Sequence, residues 1–400
     1  LEDKALWIDA LFGLAQSRPL PEQIANLFVQ RQLKMPGRLV SLDVPSGICS
    51  DTGKVFSGGA AFAAFTLTVG LIKQGLLQDS AMKYVGSLVR IELGLPSNVF
   101  DRLPKILPLR ITSSDLKTLR WPQPDINANK YQRGRLLIVA GCDKYLGATL
   151  LAIKGAIASG TGSIEAVIPK VMADSLWQIA PEVVITGTFE SSPNGADLGD
   201  VLQTQKLDRI DALLIGPGLG KSKRNWLDEI DILQQFQGLL VLDADALNRL
   251  ALSSEGWEWI KRRKASTWIT PHLAEFRRLF PSIQKQTVLD AAIEAARLTG
   301  AGVLLKCAHS VVADEKGRTW QLAETSAYVA RTGLGDLLAG FVSGVAALSI
   351  ASEESIGCER LAASSFVHAE AARLCKEGSA SSSIAEALKA ITKNIQSRDI

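Results

Sequence analysis

Two rhythms of hydrophobic and polar positions alternate along the 400 residues. Short runs of apolar or β-branched residues read as strands, and longer stretches with apolar positions every three or four residues read as amphipathic helices. In the first quarter, strands are predicted over 6–12, 38–44, 65–72 and 87–93. A helix is predicted over Glu22–Lys34, where Ile24, Leu27, Phe28 and Leu33 share a face behind Pro21. A polar stretch broken by Pro104, Pro108, Pro122 and Pro124 then separates a domain at 1–108 from one at 112–400. In the second domain, strands are predicted over 135–140, 163–168, 183–186, 212–215, 239–242, 267–269 and 303–305. Helical patterns lie between them at 148–159, 225–235 and 288–298, and the chain ends in helices over 337–348, 359–376 and 383–395. Strands alternating with helices predict an α/β fold with a doubly wound parallel sheet.

Composition narrows the function classes. With 44 Lys+Arg against 41 Asp+Glu, the near-balanced charge supplies no electrostatic case for a nucleic-acid or membrane-surface partner. The longest apolar stretches, 58–72 and 339–351, fall short of the ~20 residues a membrane-spanning helix needs. Five cysteines without a CxxC pair, and three histidines, argue against zinc sites and a disulfide framework. A cytoplasmic, reducing environment is expected, and no secretory leader is expected at Leu1.

Familiar nucleotide motifs fail. Gly216 and Gly220 enclose three residues where a P-loop needs four, and the glycine run at 333–335 lacks the third glycine of a dinucleotide fingerprint. What remains is a set of turns at strand ends. Gly333-Leu334-Gly335-Asp336 precedes an amphipathic helix; its N–H groups and dipole suit an anion, and Asp336 suits removal of a proton from a hydroxyl. Asp336 as a helix cap is the competing reading. The GPGLG run at 216–220 lets a ligand approach the backbone, or is a tight turn. Asp243 and Asp245 can orient a hydroxyl or hold Mg²⁺ through water, and Asp245 can equally cap a helix. His272 and Lys306 follow two further strands at the same expected rim, Lys306 as a cation suited to phosphates. In the first domain, Asp9 and Asp43-Val44-Pro45-Ser46-Gly47 place carboxylate and hydroxyl oxygens at strand ends. They suit a hard cation, or satisfy local turns.

Taken in order, the segments at 9–13 (DALFG), 43–47 (DVPSG), 66–70 (TLTVG), 134–141, 216–220, 242–248 (LDADALN), 270–275, 303–306 and 333–336 resemble the bifunctional NAD(P)H-hydrate repair enzymes. That resemblance implies a partial Rossmann-like epimerase domain followed by a ribokinase-like dehydratase domain using ADP or ATP. It implies that Asp336 is the base. It puts Gly335 at the nucleotide, Lys306, Cys307, Ala308, His309 and Ser310 at its phosphates, and Ala148, Gly218, His272 and Asp336 at the hydrated cofactor. Mg²⁺ would accompany ADP. In the first domain it implies K⁺ at Asp9 and Ser46, with substrate contacts at Asp43 and from Gly13. NADH hydrate, NADPH hydrate and ADP are the expected small-molecule partners, with homo-oligomerisation left open.

The family's glycine-rich phosphate loop would lie upstream of Leu1. About half of the epimerase domain is therefore expected to be absent, and epimerase activity is not expected of this polypeptide. Other departures are Leu14-Ala15-Gln16 after Gly13, Asn129 before Lys130, Leu273 after His272, and the bulkier Arg331 and Leu334 in the run from Ser326 to Asp336. A small-molecule kinase of the ribokinase-like fold is the alternative enzyme, and a non-catalytic binding protein the other rival.

Overall fold

The computed structural model describes residues 5–104, 106–115, 121–198, 200–221, 227–285, 287–322, 330–353, 356–375 and 379–396. The predicted helix residues 225, 226 and 376, and positions 326–329 of the glycine-turn run, lie outside the described residues. The chain forms two units, Leu1–Pro108 with Gln286–Val288, and Leu109–Lys285 with Leu289–Ile400.

In the first unit, β1 (Trp7–Asp9), β2 (Leu39–Leu42), β3 (Phe65–Val69) and β4 (Ser87–Ile91) form a parallel sheet in that order. All four expected strands are present but trimmed. The first stops at Asp9, whose carboxylate turns inward, and the third stops where Gly70 leaves the extended region at φ 68°. Phe28 of helix Glu22–Lys34 packs with Leu20, Leu39 and Ala61 under one sheet face.

The second unit holds β5 (Leu109–Arg110), β6 (Arg135–Val139), β7 (Ser163–Pro169), β8 (Val183–Ser192), β9 (Gly195–Asp197), β10 (Ala212–Ile215), β11 (Leu239–Leu242), β12 (Thr267–Ile269), β13 (Gly302–Leu305), β14 (Val311–Ala313) and β15 (Thr319–Gln321). Their order across one sheet is β5-β15-β14-β13-β12-β11-β10-β6-β7-β8-β9. From β13 to β8 every pairing is parallel; β14 and β9 run antiparallel to their neighbours β13 and β8. Every residue of β10 and β11 is buried, as expected for parallel strands covered on both faces. Each such Leu contributes about 1.5–3 kcal/mol by leaving water.

Helix Leu334–Ala351 starts three residues before the predicted 337, because Gly333 serves as its N-cap at φ 81°. Gly335 and Asp336 are therefore inside the first turn. By length (18 residues) and mean hydropathy (1.8) this helix could cross a membrane, but 72% of it is buried within the unit. It packs on helix Leu146–Ser159 with the backbones nearly touching. A Cβ added to Gly155 would stand 2.1 Å from the Leu337 carbonyl oxygen, and one on Gly340 1.8 Å from that of Ala152. That small-residue contact sets where the first turn of the long helix comes to lie.

Candidate active site

Strands β6, β10, β11, β12 and β13 are parallel, so the turns that follow them share one rim. Between β10 and β6 the strand order reverses, the place where α/β sheets open a ligand crevice. The GPGLG turn sits there, tied to the turn after β6 by Gly141 N–H donating to the Pro217 carbonyl at 2.8 Å.

The first turn of helix Leu334–Ala351 comes up to Lys306, whose charge acts on Asp336. A Cβ built on Gly335 would be 3.5 Å from Lys306 Nζ. Lys306 Nζ donates to Asp243 Oδ1 at 2.6 Å, and Thr270 Oγ1 donates to the same oxygen at 2.7 Å. Asp243 is thus committed. Burial alone would lower the Lys306 pKa, but the carboxylates of Asp243, Glu275 and Asp336 outweigh it and hold the ammonium above its ordinary value. Asp336 differs. Half-buried, it receives no hydrogen bond among the described residues, and burial together with the charge of Asp243 pushes its pKa up to about 6, against the pull of Lys306. It is ionised at neutral pH yet basic enough to accept a proton.

His272 stands beside Lys306, its backbone bridged to it in parallel. It is the N-cap of helix Leu273–Leu279. Its Nδ1 accepts from Ala274 N at 3.0 Å and Glu275 N at 3.4 Å, while the Glu275 carboxylate accepts from His272 N at 2.9 Å. The cap fixes the ring proton on Nε2. Partial burial, then the charges of Lys306 and Arg278, lowers its pKa and keeps it neutral. Gly218 and Ala148 are in contact, since a Cβ on Gly218 would come within 2.9 Å of Ala148 Cβ. Asp245 is not the cap of its helix. That position is Ala244, at φ 51°, and Asp245 opens helix Asp245–Leu252 with its carboxylate accepting from Gly220 N at 2.7 Å.

The segment from Lys306 to Ser310 is the β13–β14 turn. Ser310 Oγ closes it, accepting from Cys307 N at 3.2 Å, and the Cys307 thiol donates to the His309 carbonyl at 3.0 Å. His309 is buried and Ala308 lies between them. Cys307 is half-buried and one of five free cysteines.

In the first unit the expected K⁺ ligands are brought together, but to bond each other. Asp9 accepts from Ser46 Oγ at 2.6 Å, Ser46 N at 2.8 Å, Ser41 Oγ at 2.9 Å and Leu11 N at 3.4 Å, while Ser46 Oγ accepts from Phe12 N at 3.2 Å. A carboxylate offers about four acceptor positions. All are taken, so K⁺ does not fit here without displacing a donor; the pair works as the hub that holds the 43–47 turn. Asp43, at φ 66°, is ion-paired with Lys73, and a Cβ on Gly13 would lie 3.8 Å from Asp43 Oδ2. Residues 11–21 line a cleft of about 680 Å³ next to them.

Sequence reasoning missed Thr270, Lys73 and Arg249. Thr270 had a signal, as a hydroxyl one residue past a buried strand, and so had Arg249, four residues after Asp245 on a helix. For Lys73 the sequence holds none.

Known proteins give the family and the fold. A family model described as NAD(P)H-hydrate dehydratase matches residues 136–395, and one described as YjeF-related protein N-terminus matches residues 1–75. The chain is 35% identical over 375 residues to the bifunctional NAD(P)H-hydrate repair enzyme Nnr of Synechocystis sp., covering 93% of this chain and 69% of that one. With the Nnr enzyme of Gloeobacter violaceus it shares 36% over 347 residues, covering 86% and 66%. The chain thus spans about two thirds of the length of these relatives. Among solved structures, the ADP/ATP-dependent NAD(P)H-hydrate dehydratase of Bacillus subtilis, co-crystallised with ATP/Mg²⁺, superposes with a TM-score of 0.59 at 21% identity, covering 72% of this chain and 98% of that one. A ribokinase-like superfamily protein from Enterococcus faecalis gives 0.60 at 21%, covering 72% and 97%. The second unit therefore has the ribokinase-like fold.

Proposed function

The chain belongs to the NAD(P)H-hydrate dehydratase family, and from that premise we propose that its second unit, residues 112–400, restores NADH or NADPH from the hydrate at the expense of ADP. Asp336 takes the proton from the 6-hydroxyl of the hydrated nicotinamide, and the oxygen attacks the terminal phosphoryl of ADP. AMP leaves. The phosphorylated intermediate then expels phosphate, with loss of a neighbouring ring proton, to re-form the double bond. One observation carries this reading: a carboxylate in the first turn of a helix, beside Lys306 and without a hydrogen bond among the described residues, its pKa pushed up to about 6. Leu334 N donates to the Arg331 carbonyl at 3.4 Å, while the N–H groups of Gly335 and Asp336 have no carbonyl four residues earlier in the helix and donate to no other acceptor among the described residues, which suits an anion.

In this reading Gly335 meets the nucleotide, and Lys306 with Cys307, Ala308, His309 and Ser310 meets its phosphates. Ala148, Gly218 and His272 line the hydrate side. Among the described residues no group of three or more His, Cys, Asp or Glu could hold a metal alone. The charges of Asp243 and Asp245 nevertheless act on Asp336 against that of Lys306, an excess of negative charge that suits a Mg²⁺ arriving on the nucleotide. Bound there, Mg²⁺ would neutralise phosphate charge. Residues 1–108 are the epimerase-like domain, with Asp43 and the segment from Gly13 as its substrate contacts. A cytoplasmic enzyme is the setting that fits free thiols and this chemistry.

The test is hydrated NADH with ADP. Phosphate and NADH should appear in equal amounts, whereas a kinase would leave the phosphoryl on its substrate. Asp336→Asn should slow this by about 10²–10⁴-fold while ADP still raises the melting temperature; full activity in that variant would remove Asp336 from the mechanism.

A further inference from the structure

The glycines of the GPGLG turn have no side chains of their own to fix them, and Gly218 and Gly220, at φ 66° and 64°, must be held from outside. Arg249 does this from helix Asp245–Leu252. Its Nε donates to the Gly220 carbonyl at 3.0 Å, and its Nη2 donates to the carbonyls of Leu219 at 2.8 Å and Ala196 at 3.0 Å. Asp245, four residues earlier on the same helix face, accepts from Gly220 N at 2.7 Å. Gly220 is thereby gripped through both its N–H and its carbonyl. Ala196 belongs to β9, so the same guanidinium seats the β8–β9 hairpin on the turn, where Ala196 N also donates to the Leu219 carbonyl at 2.8 Å and Lys221 N to that of Asn194 at 2.9 Å.

We propose that Arg249 is a positioning residue for the hydrate side of the site: with Asp245 it clamps the GPGLG turn and the β8–β9 hairpin, and so sets where Gly218 stands against Ala148. The inference rests on the dehydratase reading above. The hydrogen bonds of Arg249 run to the turn and the hairpin and, among the described residues, not to the nucleotide segment 306–310, so its loss separates the two substrates. A lysine cannot replace it fully, because one ammonium cannot present the same fork to three carbonyls.

The experiment uses the full chain with Arg249→Met and Arg249→Lys, measuring KM for NADH hydrate and for ADP and following amide hydrogen exchange. Arg249→Met should raise KM for the hydrate by about tenfold and leave KM for ADP within about twofold. Exchange should quicken in residues 192–197 and 216–221 and stay unchanged in helix Leu334–Ala351. Arg249→Lys should shift both readings the same way by less. Equal shifts in the two KM values, or unaltered exchange in those two segments, would overturn the proposal. If Arg249→Met does not fold, Arg249→Lys decides by the same readings. If the unmodified chain fails to turn over the hydrate, the dehydratase reading falls while the exchange result still decides the clamp.

Discussion

Asp9 and Asp336 carry similar signatures, an acid beside a glycine-bearing turn at the edge of a parallel sheet, and the fold treats them in opposite ways. Asp9 is buried and surrounded by donors from Leu11, Ser41 and Ser46, so its lone pairs are spent on holding a turn. Asp336 is left without a hydrogen bond among the described residues, next to a lysine already bound to another carboxylate. Reactivity here follows from what the fold withholds. An acid whose acceptor positions are filled is a structural tie, whereas one kept bare in a partly dry rim is available to a substrate proton.

The largest effect that would sharpen this contrast is on stability. Asp9→Ala strands the buried Ser41 hydroxyl and the Ser46 amide, and should cost the first unit about 2–4 kcal/mol, read as a lower denaturant midpoint. A neutral result would mean the hub is not structural and would reopen Asp9 as an ion ligand. A smaller effect separates the two duties of His272. Replacing it with alanine should cost about 1 kcal/mol through the lost helix cap and raise KM for the hydrate by about tenfold. His272→Asn, which can still cap, should restore the stability but not the KM. Recovery of both would reduce His272 to a cap.

Much of the second unit could be read from the chain because its central strands are uninterrupted apolar runs, each followed by a turn of unusual composition. β10 and β11 coincide with their predicted spans, and the turns after β10 to β13 meet at one rim because parallel strands leave no other arrangement. The strands β5, β9, β14 and β15 escaped notice. At two or three residues they are too short to show alternation, and their neighbours decide their pairing. Partner choice was equally hidden. Asp9 is satisfied by residues 32 and 37 positions away, and Lys306 reaches Asp243 across 63. The sequence marks Asp9, Asp43, Asp243, Asp245 and Asp336 alike, and only the folded contacts say which is bare.

The central claim, that Asp336 is the uncommitted base, is tested most directly by the pH dependence of kcat/KM for the hydrate, with unfolding followed over the same range. Its pKa is raised in the folded state, so folding is favoured by the protonated form. That contribution is present below the ordinary carboxylate range and lost as pH rises through about 6. Catalysis runs the other way: kcat/KM should fall about tenfold per pH unit below 6, and the limb should vanish in Asp336→Asn, whose stability relative to the unmodified chain should improve as pH rises from the ordinary carboxylate range to about 6 and level off above it. A profile that is flat through this region, or a limb that survives in Asp336→Asn, would contradict the account.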